Sequence, residues 1–266
     1  MSQKRKKQQI RLIVVIALII ITAAVKWFTG NETKQISSVG TIVEYAEITA
    51  ETFPEYDGEP YIVVNGNKAY FDADELTIEP FEIYSELDEL GRCGAAYANI
   101  CIDLMPTEPR ESISSVHPSG WQSVKYDFID GKSLYNRSHL IGFQLAGENA
   151  NEKNLITGTR YLNAETMLPF ENEIAEYVKE TDNHVMYRVT PYFEDDDLIA
   201  KGVLMEAYSV EDKGKGVSFN VFCYNVQPGV YIDYSTGNNH ATGEIAMDTR
   251  EVYIAFLKPV FQRAAA

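Results

Sequence analysis

The sequence predicts an α+β fold with a mixed or antiparallel sheet. A stretch of helical spacing covers residues 159–181, and three strand-like runs follow it at 184–193, 200–210 and 217–226. Helices and strands that are grouped in this way, rather than alternating regularly, are typical of α+β domains. Apolar residues make up 45% of the 266 residues and aromatic residues 12%, which is enough for a packed core. This composition excludes a disordered chain or a collagen-like chain.

The chain is acidic, with 23 Lys and Arg against 39 Asp and Glu and a formal net charge of −16. Six of the basic residues precede the first acid, Glu32, so the remainder has 17 basic and 39 acidic residues and carries −22. Such a charge argues against tight, passive binding of nucleic acid, although an enzyme can still bind a polyanion briefly. Residues 107–170 carry six basic and seven acidic residues, so most of the negative charge lies elsewhere.

The first thirty residues have the pattern of an export signal. Residues 12–25 are apolar except for one threonine, and a basic cluster precedes them. They fit a signal peptide cleaved near residues 22–24, because a membrane span needs about twenty residues. They also fit an uncleaved signal anchor, with Trp27 and Phe28 at the membrane interface, and we slightly favour the anchor. In both cases the positive-inside rule predicts that the rest of the chain lies outside the cell.

A change of composition predicts the domain organisation. Residues 31–58 are polar and acidic without periodicity, as in a linker, and residues 59–266 form the domain. Within it, residues 65–67 (Asn-Gly-Asn) lie between two strand-like runs, which predicts a hairpin. Ser85 precedes several acids, which predicts the start of a helix. The prolines of residues 106–121 predict a loop.

The middle of the domain predicts a second hairpin and an interrupted helix. Strand-like runs at 122–130 and 133–143 meet at an Asp-Gly pair, which is a hairpin signal. Residues 147–158 are rich in Gly and Asn and predict a polar loop. Pro169 predicts that a second helical segment begins close to it. The apolar face of that segment consists of Phe170, Ile174, Tyr177 and Val178.

The three cysteines leave two interpretations open. Cys93 and Cys101 are eight residues apart and can form a disulfide in an oxidising compartment. Two small buried thiols are an equal alternative. Cys223 alternates with Phe219 and Val221 in a strand-like run, which predicts a core position.

Hydrolysis of a phosphodiester requires a base, a cation near the leaving oxygen and basic groups that hold the phosphate. Of the four histidines, His139 has the most suitable neighbours, because it ends a predicted strand just before the Asn-rich loop. Its ordinary pKa of about 6.5 suits a general base. Arg137 and Arg160 are candidates for contact with phosphate oxygens.

Oxygen-bearing side chains follow at positions that suit a magnesium ion, which prefers oxygen ligands and needs only one or two from the protein. Asn163 is the candidate ligand, with Asn154 close by and Glu171 eight residues further on. On one ideal α-helix, eight residues are about 80° apart, so Asn163 and Glu171 can border one site. Each residue alone would be an ordinary surface or capping group, and only their joint spacing indicates a site.

The ordered set resembles the DNA/RNA non-specific endonucleases, which have a ββα-metal core. The matching segments are YNRSHLIG at 135–142, GENANEKNLITGTRYLN at 147–163 and MLPFENEIAEYV at 167–178. The resemblance covers about residues 85–235 and is nearest to the bacterial secreted or membrane-anchored DNases and DNA-entry nucleases. It implies that His139 is the general base, that Asn163 binds Mg²⁺, and that Glu171 holds metal-bound water.

The resemblance also implies supporting roles around this set. Asn154 matches an asparagine that orients the site, and Arg137 matches an arginine that supports the site or the phosphate. A further phosphate-binding arginine is expected upstream, for which Arg110 is the candidate. Many members have Asp-Arg-Gly-His where this chain has Asn-Arg-Ser-His at 136–139. The lost charge predicts an altered basicity, and the serine predicts a backbone conformation that does not require glycine.

The expected activity is sequence-nonspecific hydrolysis of DNA, and of RNA, with Mg²⁺ as the cofactor and Mn²⁺ as a substitute. The resemblance implies 5′-phosphate products, and no obligate protein partner is inferred. The alternative is a non-catalytic binding module of the cell surface that retains the fold. A serine hydrolase using Ser138 and His139 is set aside, because neighbours on a strand point to opposite faces and no G-x-S-x-G motif is present.

Overall fold

A computed structural model describes residues 54–243, and all structural statements below concern these residues. Their strands are β1 (Tyr61–Val63), β2 (Phe81–Tyr84), β3 (Ala96–Ile100), β4 (Tyr135–His139), β5 (Leu155–Thr159), β6 (Val185–Tyr192), β7 (Gly202–Ser209), β8 (Ser218–Tyr224), β9 (Val230–Ile232) and β10 (Asn239–Ala241). Their helices are α1 (Phe143–Ala146), a π-helical segment (Tyr161–Met167) and α2 (Leu168–Thr181). Short 3₁₀ turns occur at Asn65–Asn67 and Glu152–Asn154.

Six strands form an antiparallel sheet in the order β1-β8-β7-β6-β3-β2. The three strand-like runs near the carboxyl end are its central strands β6, β7 and β8, as the sequence predicted. In β8, Phe219, Val221 and Cys223 face the main core, while Phe222 and Tyr224 face a smaller cluster on the other side. This alternation confirms the core position of Cys223. The antiparallel sheet, together with the helices, confirms the α+β class.

The main core lies between this sheet and the helices. Ile174 and Val178 of α2 are fully buried in it, and Phe170 and Tyr177 pack against its edge. The predicted apolar face is therefore confirmed. Pro169 lies in the first turn of α2, where its missing N–H leaves no helical hydrogen bond unmade.

Two predictions for the first part of the domain are wrong. The turn at residues 65–67 exists, but the strand-like run that follows it, residues 69–71, forms no strand. β1, which precedes the turn, pairs with β8 instead. No helix follows Ser85, whose hydroxyl donates to the carbonyl of Ala95 at 2.8 Å. The acidic run there is a turn, in which the Asp88 carboxylate accepts from the backbone N–H groups of Leu90 and Arg92. Aspartate that satisfies nearby N–H groups stabilises a turn as readily as a helix start.

The second predicted hairpin has the right turn and the wrong partner. Lys132 N–H donates to the Ile129 carbonyl at 2.8 Å, but the run 122–130 contributes only one bridge, between Lys125 and Ser133. β4 pairs instead with β5, which lies in the segment predicted as a polar loop. Every residue of β5 is buried, so its sequence carries no alternation that would reveal a strand. The proline loop at 106–121 is confirmed.

All three cysteines are free and buried. The Cys93 thiol donates to the Leu155 carbonyl at 3.3 Å, and burial raises its pKa to about 12. Of the two interpretations of Cys93 and Cys101, the structure supports the buried thiols.

The signal segment at 12–25 and nearly all of the predicted linker lie outside the described residues. Among residues 54–243, no helix is long and apolar enough to cross a membrane. The division into 1–30, 31–58 and 59–266 stays a prediction.

Candidate active site

The β4–β5 ribbon places His139 at its end, opposite Leu155. The imidazole is only 6% exposed. Its Nε2 lies 3.0 Å from the Asn149 carbonyl oxygen, which can only accept, so Nε2 carries the proton and donates. Nδ1 is then the acceptor, and Arg110 Nη2 lies 3.3 Å from it. The free lone pair of His139 therefore faces Arg110.

Burial is the main reason why the pKa of His139 lies below its usual 6.5. The hydrogen bond to the Asn149 carbonyl acts in the opposite direction, and the positive charge of Arg110 lowers the pKa further. His139 is consequently neutral at pH 7, which is the form that can accept a proton.

Asn154 holds the chain just beyond His139. Its side chain is fully buried, accepts from the Ile141 N–H at 2.9 Å and donates to the Ile141 carbonyl at 3.0 Å. The Asn154 carbonyl also accepts from the Leu140 N–H. This is the geometry of a positioning residue, which acts through the backbone that follows His139.

Glu171 lies in the first turn of α2 and is only 8% exposed. Its carboxylate lies against Gly142, where an added Cβ would come within 2.6 Å of Oε2, so a larger residue there would displace this carboxylate. Burial raises the pKa of Glu171 to about 7, although the Gly142 N–H and the charge of Arg110 both lower it. Near neutral pH, this carboxylate is therefore poised between its two protonation states.

Asn163 is half-buried, and its side chain forms no hydrogen bond with any residue from 54 to 243. It belongs to the π-helical segment, so the angle of about 80° expected for a single α-helix does not describe its relation to Glu171. Single π-helical turns are rare and frequently occur at functional sites.

An open cleft of about 400 Å³ is lined by Asn163 and by Arg110, the partner of His139. Its polar lining includes three arginines and no carboxylate. The residues that matter below are Arg110, Trp121, Asn136, Arg137, Arg160 and Asn163. In a chain of net charge −16, this cleft is a local cationic surface.

The three arginines differ in how they are held. The Arg137 guanidinium donates to the carbonyls of Val116 and Ser114 and stacks over the Trp121 ring at 4.0 Å. It thus holds the loop that carries Arg110, so it supports the site rather than being free for a phosphate. Arg160 Nη2 forms an ion pair with Asp130 at 2.7 Å. Arg110 contacts the imidazole of His139.

The donor set fits a hard cation that takes few protein ligands. Asn163 offers an amide oxygen with no competing partner in the described chain, and Glu171 offers a buried carboxylate. Both are oxygen donors of the kind that Mg²⁺ prefers. Among residues 54–243, no group of three or more His, Cys, Asp and Glu is placed to hold a metal.

Two features of the site had no signal in the sequence. The Asn149 carbonyl that fixes the His139 tautomer is a backbone group, and the contact of Gly142 with Glu171 joins separate segments. Ser138 is fully buried against Gly158, which leaves no serine exposed beside His139. Its backbone has no positive φ, as the sequence predicted.

Comparison with known proteins identifies the family and supports the fold. A family model described as DNA/RNA non-specific endonuclease matches residues 74–211. NucA from Streptococcus agalactiae, solved with a magnesium ion bound, is similar with a TM-score of 0.61 and 24% identity over 68% of this chain and 86% of that chain. The Sda1 nuclease, solved with a bound zinc ion, has a TM-score of 0.57 and 26% identity over 69% of this chain and 97% of that chain. This chain belongs to the DNA/RNA non-specific endonuclease family and is a hydrolase that acts on nucleic acids.

Proposed function

We propose that this chain is a Mg²⁺-dependent, sequence-nonspecific endonuclease of DNA and RNA in which His139 is the general base. The observation that carries the proposal is the state of His139: it is buried and neutral, its Nε2–H donates to the Asn149 carbonyl, and its unprotonated Nδ1 has only the Arg110 guanidinium as a partner in the described chain. Its neighbour Arg110 lines a cleft that has three arginines and no carboxylate in its lining.

The chemistry follows from the hydrogen bonds of this imidazole. Nδ1 of His139 accepts a proton from a water molecule whose oxygen attacks the phosphorus in line. The bond from phosphorus to the 3′ oxygen breaks, the 3′ oxygen takes a proton from solvent, and the product carries a 5′ phosphate. The bond from Nε2–H to the Asn149 carbonyl stabilises the imidazolium that forms. Asn154 keeps the backbone after His139 in place through its two bonds to Ile141.

Asn163 and Glu171 would hold the divalent cation, Mg²⁺ or Mn²⁺ as a substitute. When bound, the metal stabilises negative charge at the phosphate and at the leaving oxygen. The arrangement suits this role because the Asn163 amide has no other partner in the described chain and the Glu171 carboxylate has no ion pair there.

Arg110 and Arg160 would bind phosphate groups of the substrate. Contacts to phosphate position the substrate without reading its sequence, which supports low specificity. The acidic remainder of the chain repels a polyanion, and this would help the cut product to leave.

The pattern of residues 1–30 supports a location outside the cell, either anchored in the membrane or secreted. The domain boundaries predicted above belong to the same proposal.

The test uses the purified full chain in detergent, incubated with plasmid DNA or RNA in Mg²⁺ or in EDTA. We expect metal-dependent degradation that is lost in His139→Ala and Asn163→Ala. A folded wild type that leaves both polymers intact with several divalent ions would overturn the enzyme and favour the binding-module alternative.

A further inference from the structure

Two hydrogen-bond donors in the cleft are buried and have no partner among the described residues. They are Nδ2 of Asn136 and Nε of Arg160. Both residues line the same cleft. Buried donors are almost always paired in folded proteins, so two exceptions in residues that line one cleft indicate a ligand that accepts from both.

The ribbon brings these donors together. Arg160 directly follows β5, and its backbone N–H donates to the Leu134 carbonyl at 2.8 Å, next to the start of β4. Asn136 is the second residue of β4 and lies opposite Gly158, two residues before Arg160. The ion pair between Arg160 Nη2 and Asp130 fixes the guanidinium. Nε is therefore presented on a held side chain rather than on a mobile one.

These donors lie at the opposite end of the ribbon from His139. Asn136 lies three positions before His139 on β4, which corresponds to about 10 Å along a strand. Arg110, which contacts His139, lines the same cleft. A single phosphate group that accepts from the donors beside Asn136 is therefore not the one within hydrogen-bond distance of His139.

We infer that Asn136 Nδ2 and Arg160 Nε form a second phosphate subsite, which binds a backbone phosphate next to the one that is cleaved. The inference rests on the proposed nuclease function, and it adds a substrate requirement. The ligand is a phosphodiester because both groups only donate and one belongs to a guanidinium, whose paired carboxylate, Asp130, contacts Nη2 and leaves Nε for another acceptor. An oligonucleotide with several phosphates fills both ends, whereas a dinucleotide with a single phosphate fills only one.

The asparagine itself suits this subsite. Many family members have an aspartate at this position, and a carboxylate there would pair with Arg160 or repel a phosphate. Asn136 provides a neutral N–H donor instead, so the departure from the common motif becomes a contact to substrate.

The test measures binding rather than cleavage, on the full chain carrying His139→Ala. Oligonucleotides with one to five phosphates compete against a fluorescent twelve-nucleotide single strand, with and without Asn136→Ala, Asn136→Asp or Arg160→Ala. Lys179→Ala removes the same charge as Arg160→Ala from the last turn of α2, which does not line the cleft, and is the matched control.

We expect affinity to rise with the second or third phosphate in the His139→Ala background. Asn136→Ala should reduce that gain in affinity roughly tenfold, because one hydrogen bond to a charged group is lost. Asn136→Asp should reduce it further. Arg160→Ala should lower the slope of log affinity against log salt by about one, whereas Asn136→Ala leaves the slope unchanged. The double variant should lose less than the sum of the two, because both donors bind one phosphate.

A loss of equal size on the single-phosphate ligand would place these donors at the cleaved phosphate and overturn the inference. Equal affinity of all variants for every length, or no binding at any length, would overturn it too. Cleavage of plasmid DNA by the wild type is assayed in parallel. A failed subsite with intact cleavage is thus distinguished from failure of the proposed function.

Discussion

Two buried glutamates in different regions of this molecule differ in whether an ion pair balances the carboxylate. Glu206 on β7 is 2% exposed, and its carboxylate accepts from Arg188 Nε at 2.9 Å and from the Tyr70 N–H at 2.7 Å. Glu171 on α2 is 8% exposed and has only the Gly142 N–H, with no ion pair among the described residues. A buried carboxylate without a cation is costly, and burial accordingly raises the pKa of Glu171 to about 7.

The surroundings of the two residues agree with this difference. Arg188 also donates to the Tyr70 carbonyl and packs against the rings of Phe71 and Tyr97, so the Glu206 region fastens residues 70–71 to the sheet. At the proposed site the partners are incomplete: the Asn163 side chain has no hydrogen bond in the described chain, and His139 Nδ1 has only Arg110 at 3.3 Å. The polar groups of the first region are paired within the chain, whereas under the proposed function those of the second are completed by a ligand.

The largest expected effect is on the turnover rate, which should differ between variants of two histidines. His139→Ala should lower the turnover rate by about 10²–10⁴-fold, because a general base is lost. His184→Ala removes a histidine that also has a hydrogen bond, from Nδ1 to Glu211 at 2.6 Å, but lies just before β6 and outside the proposed site. Its turnover should stay at the wild-type rate. Initial rates on plasmid DNA in Mg²⁺ measure both, and equal losses would contradict the difference between the two regions.

Neutralising the two glutamates should change stability in opposite directions. The pKa of Glu171 is about 7 in the folded chain against 4.5 ordinarily, so the folded state binds the proton more tightly. Its contribution to stability is therefore present below about pH 4.5 and is lost as the pH rises through 7. Glu171→Gln removes this penalty and should raise the free energy of unfolding by about 3 kcal/mol at pH 8 in EDTA. Glu206→Gln should lower it by about 3 kcal/mol, because Arg188 loses its charged partner.

Urea unfolding at pH 8 gives both values, and addition of Mg²⁺ provides the control. The wild type and Glu206→Gln should gain stability with the metal, whereas Glu171→Gln should gain little. A Glu171→Gln protein that is less stable than the wild type in EDTA would show that its charge is compensated within the chain.

Two fully buried asparagines offer a smaller and sharper test. Asn154 makes two bonds to Ile141, and Asn99 on β3 donates to the carbonyls of Thr77 and Glu79. Each Asn→Ala change should cost about 2 kcal/mol of stability, since buried backbone groups lose partners. Only Asn154→Ala should also lower the turnover rate, because it frees the backbone beside His139. Comparing both variants at a temperature where each is folded separates this effect from stability, and an equal loss of activity would refute the positioning role.

The smallest effect concerns the pKa of His139. Arg110→Ala removes a positive charge 3.3 Å from Nδ1, so the pKa of His139 should rise towards its usual value. NMR titration of the imidazole measures it in the metal-free protein. Arg110→Lys should keep the lower pKa, and a decrease in Arg110→Ala would contradict the assigned tautomer and contact.

The sequence predicted best where the periodicity is regular. The sequence predicted β6, β7 and β8 correctly because their apolar residues alternate. It predicted the apolar face of α2 because its apolar residues repeat at helical spacing. β5 was missed because all five of its residues are buried, which removes the alternation. The hairpin predicted for 122–130 failed because strand pairing depends on partners that are distant in the chain, here β4 with β5.

For the site, the sequence by itself determined the residue types and their order: a histidine, an asparagine and a glutamate at the family's spacing. Tertiary structure decided which atoms are free. It tied Nε2 of His139 to a backbone carbonyl, used Arg137 to hold a loop, and left Asn136 Nδ2 and Arg160 Nε without partners in the described chain. The physical reason is that hydrogen bonding and burial depend on which segments meet in space. A side chain's role therefore follows from its neighbours, while its chemistry follows from the sequence alone.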